Sequence, residues 1–380
     1  MKSSFATTAL GILLSMLLLL AASDVQALFK PRKLSPLAST PREARLVEEK
    51  VKAHLEAADP GGLQPHENTF SARVNHFNAS DDSTFKMRYL VNDASWDDTK
   101  PGPILFYAGN EGGVWGFYNN SGFIVDTLGP EFKGLVVFAE HRFYGQSMPF
   151  GDDSFSPENL RMLSVEQVLW DYVDLLADLK ASGKYKGLEN SATIAFGGSY
   201  GGMLAAWLRM KYPQWIQGAV ASSAPLLWFK GATDPSAFTE TASAVIHKQG
   251  GDDCYNGQQR GFFDLQSLAY DASKWAEIKE HFKLCDDITE PRDVLDLIDS
   301  LSGDIGTMAM VNYPYATSFI GSLPAWPIKA ACDAAAKVAP TPPVNAGDPA
   351  AAFSWDDISR LQAIANVSYN FTGEMECLAR

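Results

Sequence analysis

The chain has 380 residues, with 31 Lys+Arg against 45 Asp+Glu and a net charge of −14. At 46% hydrophobic and 20% charged residues it has a globular composition. This excludes wholesale disorder and leaves room for one large domain with an insertion, or for two domains. The acidic balance excludes nucleic acid as a natural partner, because phosphates demand a basic surface.

Lys2 opens a short positive region, and Leu10 to Ala22 is an apolar run of 13 residues. As a helix that run rises only about 20 Å, short of the roughly 30 Å hydrocarbon core of a bilayer. Val25 and Ala27 put small residues at the −3 and −1 positions of a cleavage site, so residues 1–27 read as a secretory signal peptide. No membrane span is expected once it is removed. The expected destination is the secretory pathway, ending in a lysosome or vacuole or outside the cell. The acceptors Asn78, Asn119, Asn366 and Asn370 head N-x-S/T sequons and are the expected glycosylation sites. Residues 28–69 read as a propeptide or a peripheral N-terminal segment.

From about residue 70 the pattern becomes that of an α/β core. Phe85–Val91 reads as a strand. Pro103–Tyr107 and Gly134–Ala139 are short, continuous apolar runs of the buried-strand type. A helix is predicted from Ser164, with Glu166 in its first turn and apolar residues at Val165, Val168, Leu169, Tyr172, Leu175, Leu176 and Leu179, stopping at Gly183. Ala192–Phe196 is a strand, Gly201–Tyr212 a helix and Ile216–Ala221 a further strand. Apolar strands alternating with helices predict a mostly parallel sheet covered on both faces over residues 70–225. Residues 226–380 lack that rhythm and read as a mainly helical cap, with helical stretches at 273–284 and 293–301. All four cysteines, Cys254, Cys285, Cys332 and Cys377, fall there. None forms a CxxC, so zinc ribbons are disfavoured, and an even count in an oxidising compartment suggests two disulfides with three connectivities open.

The chemistry concentrates at Gly197-Gly198-Ser199-Tyr200-Gly201, a G-x-S-x-G between a predicted strand and a predicted helix. In a nucleophile elbow the serine occupies a tight, strained turn, and its glycine neighbours avoid clashes that any Cβ would make. Ser199 is the candidate nucleophile, and the Tyr200 amide the candidate oxyanion donor. A second donor is expected from the loop after an earlier strand, where Gly109 and Asn110 open Gly109-Asn110-Glu111-Gly112-Gly113. An ordinary glycine turn is the alternative there. Glu111 is a candidate recognition carboxylate. Of the six histidines, His54, His66, His76 and His141 precede Ser199, and His247 and His281 lie in the cap segment, so no histidine stands out as base. No metal-ligand spacing such as HExxH appears, and no cofactor is expected.

GGSYGGMLAAWLRMKYP (197–213) closely resembles the elbow of the proline-selective serine exopeptidases, whose branches are the Pro-X carboxypeptidases and dipeptidyl peptidase II. VNHFN (74–78), RYLVND (88–93), GPILFYAGNEG (102–112), VVFAEHRFYGQSMPFG (136–151) and NYPYATSFIGSLPAWPIKAAC (312–332) resemble the same family in the same order. The resemblance implies an α/β-hydrolase core with an inserted, disulfide-linked helical cap. It implies peptide bonds beside proline as substrate, Met203 as a lining of the proline pocket (helix core being the alternative), and Cys254–Cys332 and Cys285–Cys377 as the disulfides. A homodimer is among the assemblies it allows. The family carries its triad Asp and His on later strands, so a chain stopping at Arg380 is expected to have an incomplete sheet without them. A catalytically inactive secreted or lysosomal glycoprotein is then the alternative function. The absence of a cysteine around Asp234-Pro235-Ser236 resembles the dipeptidyl peptidase II branch.

Overall fold

The computed structural model describes residues 64–338 and 353–378. The expected signal peptide, and nearly all of the segment 28–69, lie outside the described residues. The chain divides into two compact units between Ser222 and Ser223, a few residues ahead of the 225/226 boundary read from the sequence.

The first unit is built on a six-stranded sheet: β1 (His66–Arg73), β2 (Thr84–Asn92), β3 (Ile104–Ala108), β4 (Leu135–Ala139), β5 (Thr193–Gly198) and β6 (Gly218–Ser222). Their order is β1-β2-β4-β3-β5-β6. β1 and β4 run antiparallel to β2, while β4, β3, β5 and β6 are mutually parallel. β3 and β4 are buried at every position, which is why they read as unbroken apolar runs rather than alternating ones.

Among the helices of this unit are α1 (Val114–Asn119), α2 (Val165–Ala181) and α3 (Tyr200–Lys211). α2 starts where the sequence places it, because the Ser164 side chain accepts a hydrogen bond from the Gln167 amide. It buries Val168, Leu169, Tyr172, Leu175, Leu176 and Leu179, and the Tyr172 ring meets Phe106 of β3 edge-on, 5.4 Å between centroids. α3 buries Leu204, Ala205 and Leu208. Parallel central strands, crossover helices and a strand–serine–helix turn after β5 make this an α/β-hydrolase core.

β1 departs from the expectation that the core begins at residue 70. It starts at His66 and takes the end of the presumed N-terminal segment into the sheet. Its sequence, HENTFSAR, buries only Ala72, so there was no apolar pattern to read. The strand rests instead on an eight-residue antiparallel register with β2, from His66 opposite Val91 to Arg73 opposite Thr84. β6 is the outer strand at the other edge, with four of its five residues exposed.

The second unit is helical, with α4 (Ala237–Leu268), α5 (Trp275–Phe282), α6 (Pro291–Met310), α7 (Pro327–Ala335) and α8 (Trp355–Tyr369). Gly251, at φ 71°, interrupts α4. α6 is longer than the stretch read from the sequence. It opens with a capping box in which Glu290 and Asp293 satisfy each other's backbone amides. Leu265, Phe282, Leu297, Leu301, Ile328 and Leu361 are among the residues that form its core. Gly261 lets α4 approach α8, since a Cβ there would lie 2.5 Å from the Asp357 carbonyl oxygen. Cys254 pairs with Cys332 and Cys285 with Cys377, across sequence separations of 78 and 92. Closing loops of that length removes about 4–5 kcal/mol of chain entropy each from the unfolded state in the loop-closure description.

Asp304 of α6 is largely buried and accepts a hydrogen bond from the Ser368 hydroxyl of α8 at 3.1 Å. Burial pushes its carboxyl up to about 6. Its folded pKa is raised, so its contribution to stability is complete below about pH 4 and is lost as pH rises through 6. Hydrogen exchange of α6 and α8, corrected for intrinsic rates, should therefore be slower at pH 5 than at pH 7. Asp304→Asn should remove most of that difference.

Candidate active site

β5 ends at Gly198, and Ser199 follows with φ 55° and ψ −126°, a backbone conformation costly for any residue with a Cβ. The turn is closed on both sides. The Ser199 amide donates to the Ser222 carbonyl at 3.0 Å, and its carbonyl accepts from the Met203 amide at 3.1 Å. Packing makes two glycines obligatory. A Cβ on Gly197 would lie 2.0 Å from the Gly201 carbonyl oxygen, and one on Gly201 would lie 2.7 Å from that of Ala108. Gly198 differs from the expectation for this motif, since the nearest atom to a Cβ there is the Tyr107 hydroxyl at 3.9 Å. The result is a serine side chain held exposed above the sheet at the N-terminus of α3, where main-chain amides lack helical partners.

The loop after β3 is anchored at several points. The Gly109 amide donates to Ala139 at 3.1 Å, and its carbonyl accepts from the Tyr172 hydroxyl at 2.7 Å. A Cβ on Gly109 would lie 2.1 Å from the Ala139 oxygen, so this close approach requires glycine. Asn110 is buried. Its Nδ2 donates to Glu111 Oε2 at 2.9 Å, while its Oδ1 is buried without a hydrogen-bond partner. The loop ends where the Val114 amide, at the start of α1, donates to Glu140 Oε1 at 3.0 Å.

Glu140, His141 and Arg142 follow β4 directly, and all three are fully buried. Glu140 pairs with Arg88 of β2, Nη2 to Oε1 at 2.5 Å, and accepts from the Gln146 amide and the Ser147 hydroxyl. Gly145, at φ 57°, leaves room for that carboxylate; a Cβ there would lie 2.0 Å from Glu140 Oε1. Arg142 grips Asp171 of α2 through Nε and Nη2 at 2.6 and 2.7 Å, and donates to the carbonyls of Arg73, Val74 and Met162. His141 Nε2 lies 3.1 Å from the Tyr200 hydroxyl. Burial pulls the His141 imidazole down to about 4. Burial also raises the phenols of Tyr200 and Tyr144, and pushes Tyr107 up to about 12, so these side chains stay neutral around the elbow.

The structure thus brings together Ser199, Tyr200, Gly109, Asn110 and Glu111 of the expected site within the first unit. Met203 is half-buried one turn into α3 and is not among the residues packed into the core clusters. His66, His76 and His141 bond to Asp93, to Asp171 and Asp174, and to Tyr200, respectively. Among the described residues no histidine is hydrogen-bonded to Ser199. Asn78 and Asn119 are exposed, whereas Asn366 and Asn370 are half-buried and Asn370 Oδ1 already accepts from the Met375 amide. No described cluster of His, Cys, Asp and Glu could hold a metal, and no described helix is long and apolar enough to cross a membrane. Sequence reasoning missed the roles of Glu140, His141 and Arg142. The only signal was three polar residues following an apolar run.

The profile of serine carboxypeptidase S28 matches residues 72–372. The lysosomal Pro-X carboxypeptidase of Homo sapiens is 40% identical over 313 residues, covering 81% of this chain and 59% of its own. That of Bos taurus is 39% identical over 307 residues, covering 80% and 58%. Prolyl carboxy peptidase like protein 5 of Caenorhabditis elegans is 38% identical over 324 residues, covering 83% and 59%. The chain therefore spans less than two thirds of the length of these relatives. An esterase of Pyrobaculum calidifontis, 15% identical, superposes on 54% of the chain with a TM-score of 0.33.

Two outcomes are expected from this geometry. Glu140→Ala takes from the buried Arg88 guanidinium its closest carboxylate and should cost about 3–5 kcal/mol in urea unfolding. His141 has a depressed folded pKa, so its neutral burial contributes fully above pH 6.5 and is lost as pH falls towards 4. Stability of the first unit should decline by about 3 kcal/mol over that window. The decline should flatten in His141→Gln, measured by thermal melting against pH.

Proposed function

The chain belongs to the serine carboxypeptidase S28 family, and on that premise we propose that it serves a serine exopeptidase cleaving beside proline, with Ser199 as nucleophile. The observation that carries the reading is the strained, exposed Ser199 between two obligatory glycines, next to a loop pinned by Tyr172 and Glu140. Ser199 Oγ attacks the carbonyl carbon of a prolyl residue. Negative charge then develops on the carbonyl oxygen, and the Tyr200 amide and the Gly109–Asn110 loop stabilise it. The bond to the leaving amine breaks, that amine takes the proton lost by Ser199, and water hydrolyses the acyl-enzyme. The proposal places the base outside His76 and His141, whose ring nitrogens are both engaged elsewhere, and outside His66, which pairs with Asp93.

Met203 is the candidate lining of the prolyl pocket. A rigid pyrrolidine ring loses little entropy on binding and suits an apolar slot. Glu111 is the candidate contact for the rest of the peptide. The identity to Pro-X carboxypeptidases supports release of the residue after proline, and their lysosomal names support a lysosomal or secretory location. An imidazole at His141 that stays neutral down to about pH 4 suits such a compartment. Asn78 and Asn119 are the sequons with the exposure a glycan needs. A second reading is a peptide-binding glycoprotein without turnover. It is favoured by the lack of a histidine bonded to Ser199 among the described residues.

Labelling with a fluorophosphonate separates the two. Stoichiometric modification at Ser199, lost in Ser199→Ala, together with release of the C-terminal residue from an X-Pro-Phe peptide, is the expected result. An unlabelled, folded chain would leave the binding reading.

A further inference from the structure

His141 is fully buried and meets Tyr200 both through a ring nitrogen and ring to ring, 5.5 Å between centroids. Its Nδ1 lies 2.5 Å from the Arg142 carbonyl oxygen and its Nε2 lies 3.1 Å from the Tyr200 hydroxyl. A carbonyl oxygen only accepts, so Nδ1 carries the proton. In the neutral ring Nε2 then presents a lone pair, and the Tyr200 phenol has to donate to it. The ring cannot drift, because the Tyr144 ring meets it edge-on at 5.2 Å and the Arg142 side chain is clamped by Asp171. A chain of buried contacts therefore runs from Asp171 of α2 through Arg142 and His141 to Tyr200. Tyr200 is the residue after Ser199 and the first of α3. A tyrosine side chain at that position, left to rotate, would loosen the first turn that carries its own amide.

We propose that His141 is a positioning residue: by accepting the Tyr200 phenol it fixes the residue whose main-chain amide faces the developing oxyanion. The role in catalysis rests on the reading of Ser199 as nucleophile; the positioning itself does not. Two substitutions divide the imidazole. Asn at 141 mimics Nδ1 and keeps the donor to Arg142 but leaves the phenol without an acceptor. Gln can place its oxygen near the Nε2 position and keep that acceptor.

The test uses the full chain labelled with carbonyl-¹³C serine and ¹⁵N tyrosine. Ser-Tyr occurs only at 199–200 and 368–369, so two amides are selected and the second is an internal reference. His141→Asn is expected to shift the Tyr200 amide resonance and to speed its exchange about fivefold to tenfold, the scale of one lost hydrogen bond. His141→Gln should return both towards the native values, with the Tyr369 amide unmoved throughout. An unchanged Tyr200 amide in His141→Asn overturns the proposal, as does an equal change in both variants, which would mark packing alone. Fluorophosphonate labelling of Ser199 should slow about tenfold in His141→Asn and much less in His141→Gln. A native chain that is never labelled would sink the nucleophile reading while the amide comparison still decides the positioning. Should His141→Asn fail to fold, Tyr200→Phe removes only the hydroxyl that bonds Nε2. It should slow labelling to the same extent, and unimpaired labelling in it overturns the proposal.

Discussion

The carboxylate of Glu140 is the point at which the site is tied together. It is fully buried, and it accepts from Arg88 of β2, from the first amide of α1, from the Gln146 amide and from the Ser147 hydroxyl. A carboxylate in a low-dielectric interior is costly unless its lone pairs are filled. The donors come from three separate parts of the chain, so satisfying the charge brings those parts to one place. The loop carrying Gly109 and Asn110 runs from β3 to the helix whose start Glu140 caps. Its geometry therefore depends on an ion pair buried away from solvent.

Arg142 applies the same logic one residue pair further on. Its guanidinium reaches Asp171 and three carbonyls, joining α2, the end of β1 and the segment before α2. A planar fork with five donors suits that task better than a lysine would. Between these two charged anchors sits a neutral imidazole. The three consecutive side chains each engage a different element, so the end of β4 works as a junction rather than as the loop its composition suggests.

Much of the fold was legible because it rests on local rules. β3 and β4 are buried on both faces and read as unbroken apolar runs, and Ser164 begins α2 for a capping reason visible in the sequence. Ser199 was legible because glycine has few substitutes at 197 and 201. What was hidden rests on partners far apart in sequence. Glu140 meets Arg88 across 52 residues, His141 meets Tyr200 across 59, and Arg142 meets Asp171 across 29. A sequence shows charge after an apolar run and offers no sign that the charge stays inside. β1 was hidden for the opposite reason: its order comes from backbone pairing to β2, and its side chains are mostly exposed.

The two disulfides of the helical unit interlace, since Cys285 lies within the span of Cys254–Cys332 and Cys332 within that of Cys285–Cys377. Any single cut of the backbone between Cys254 and Cys377 leaves the fragments covalently joined. A cut between Cys285 and Cys332 leaves them joined twice, and that span contains the aromatic stretch from Tyr313 to Trp326. Neither bond can close within a short folded segment, so correct pairing requires that distant helices have already met. The unit can thus be nicked by a protease without coming apart, a form of durability distinct from its resistance to unfolding.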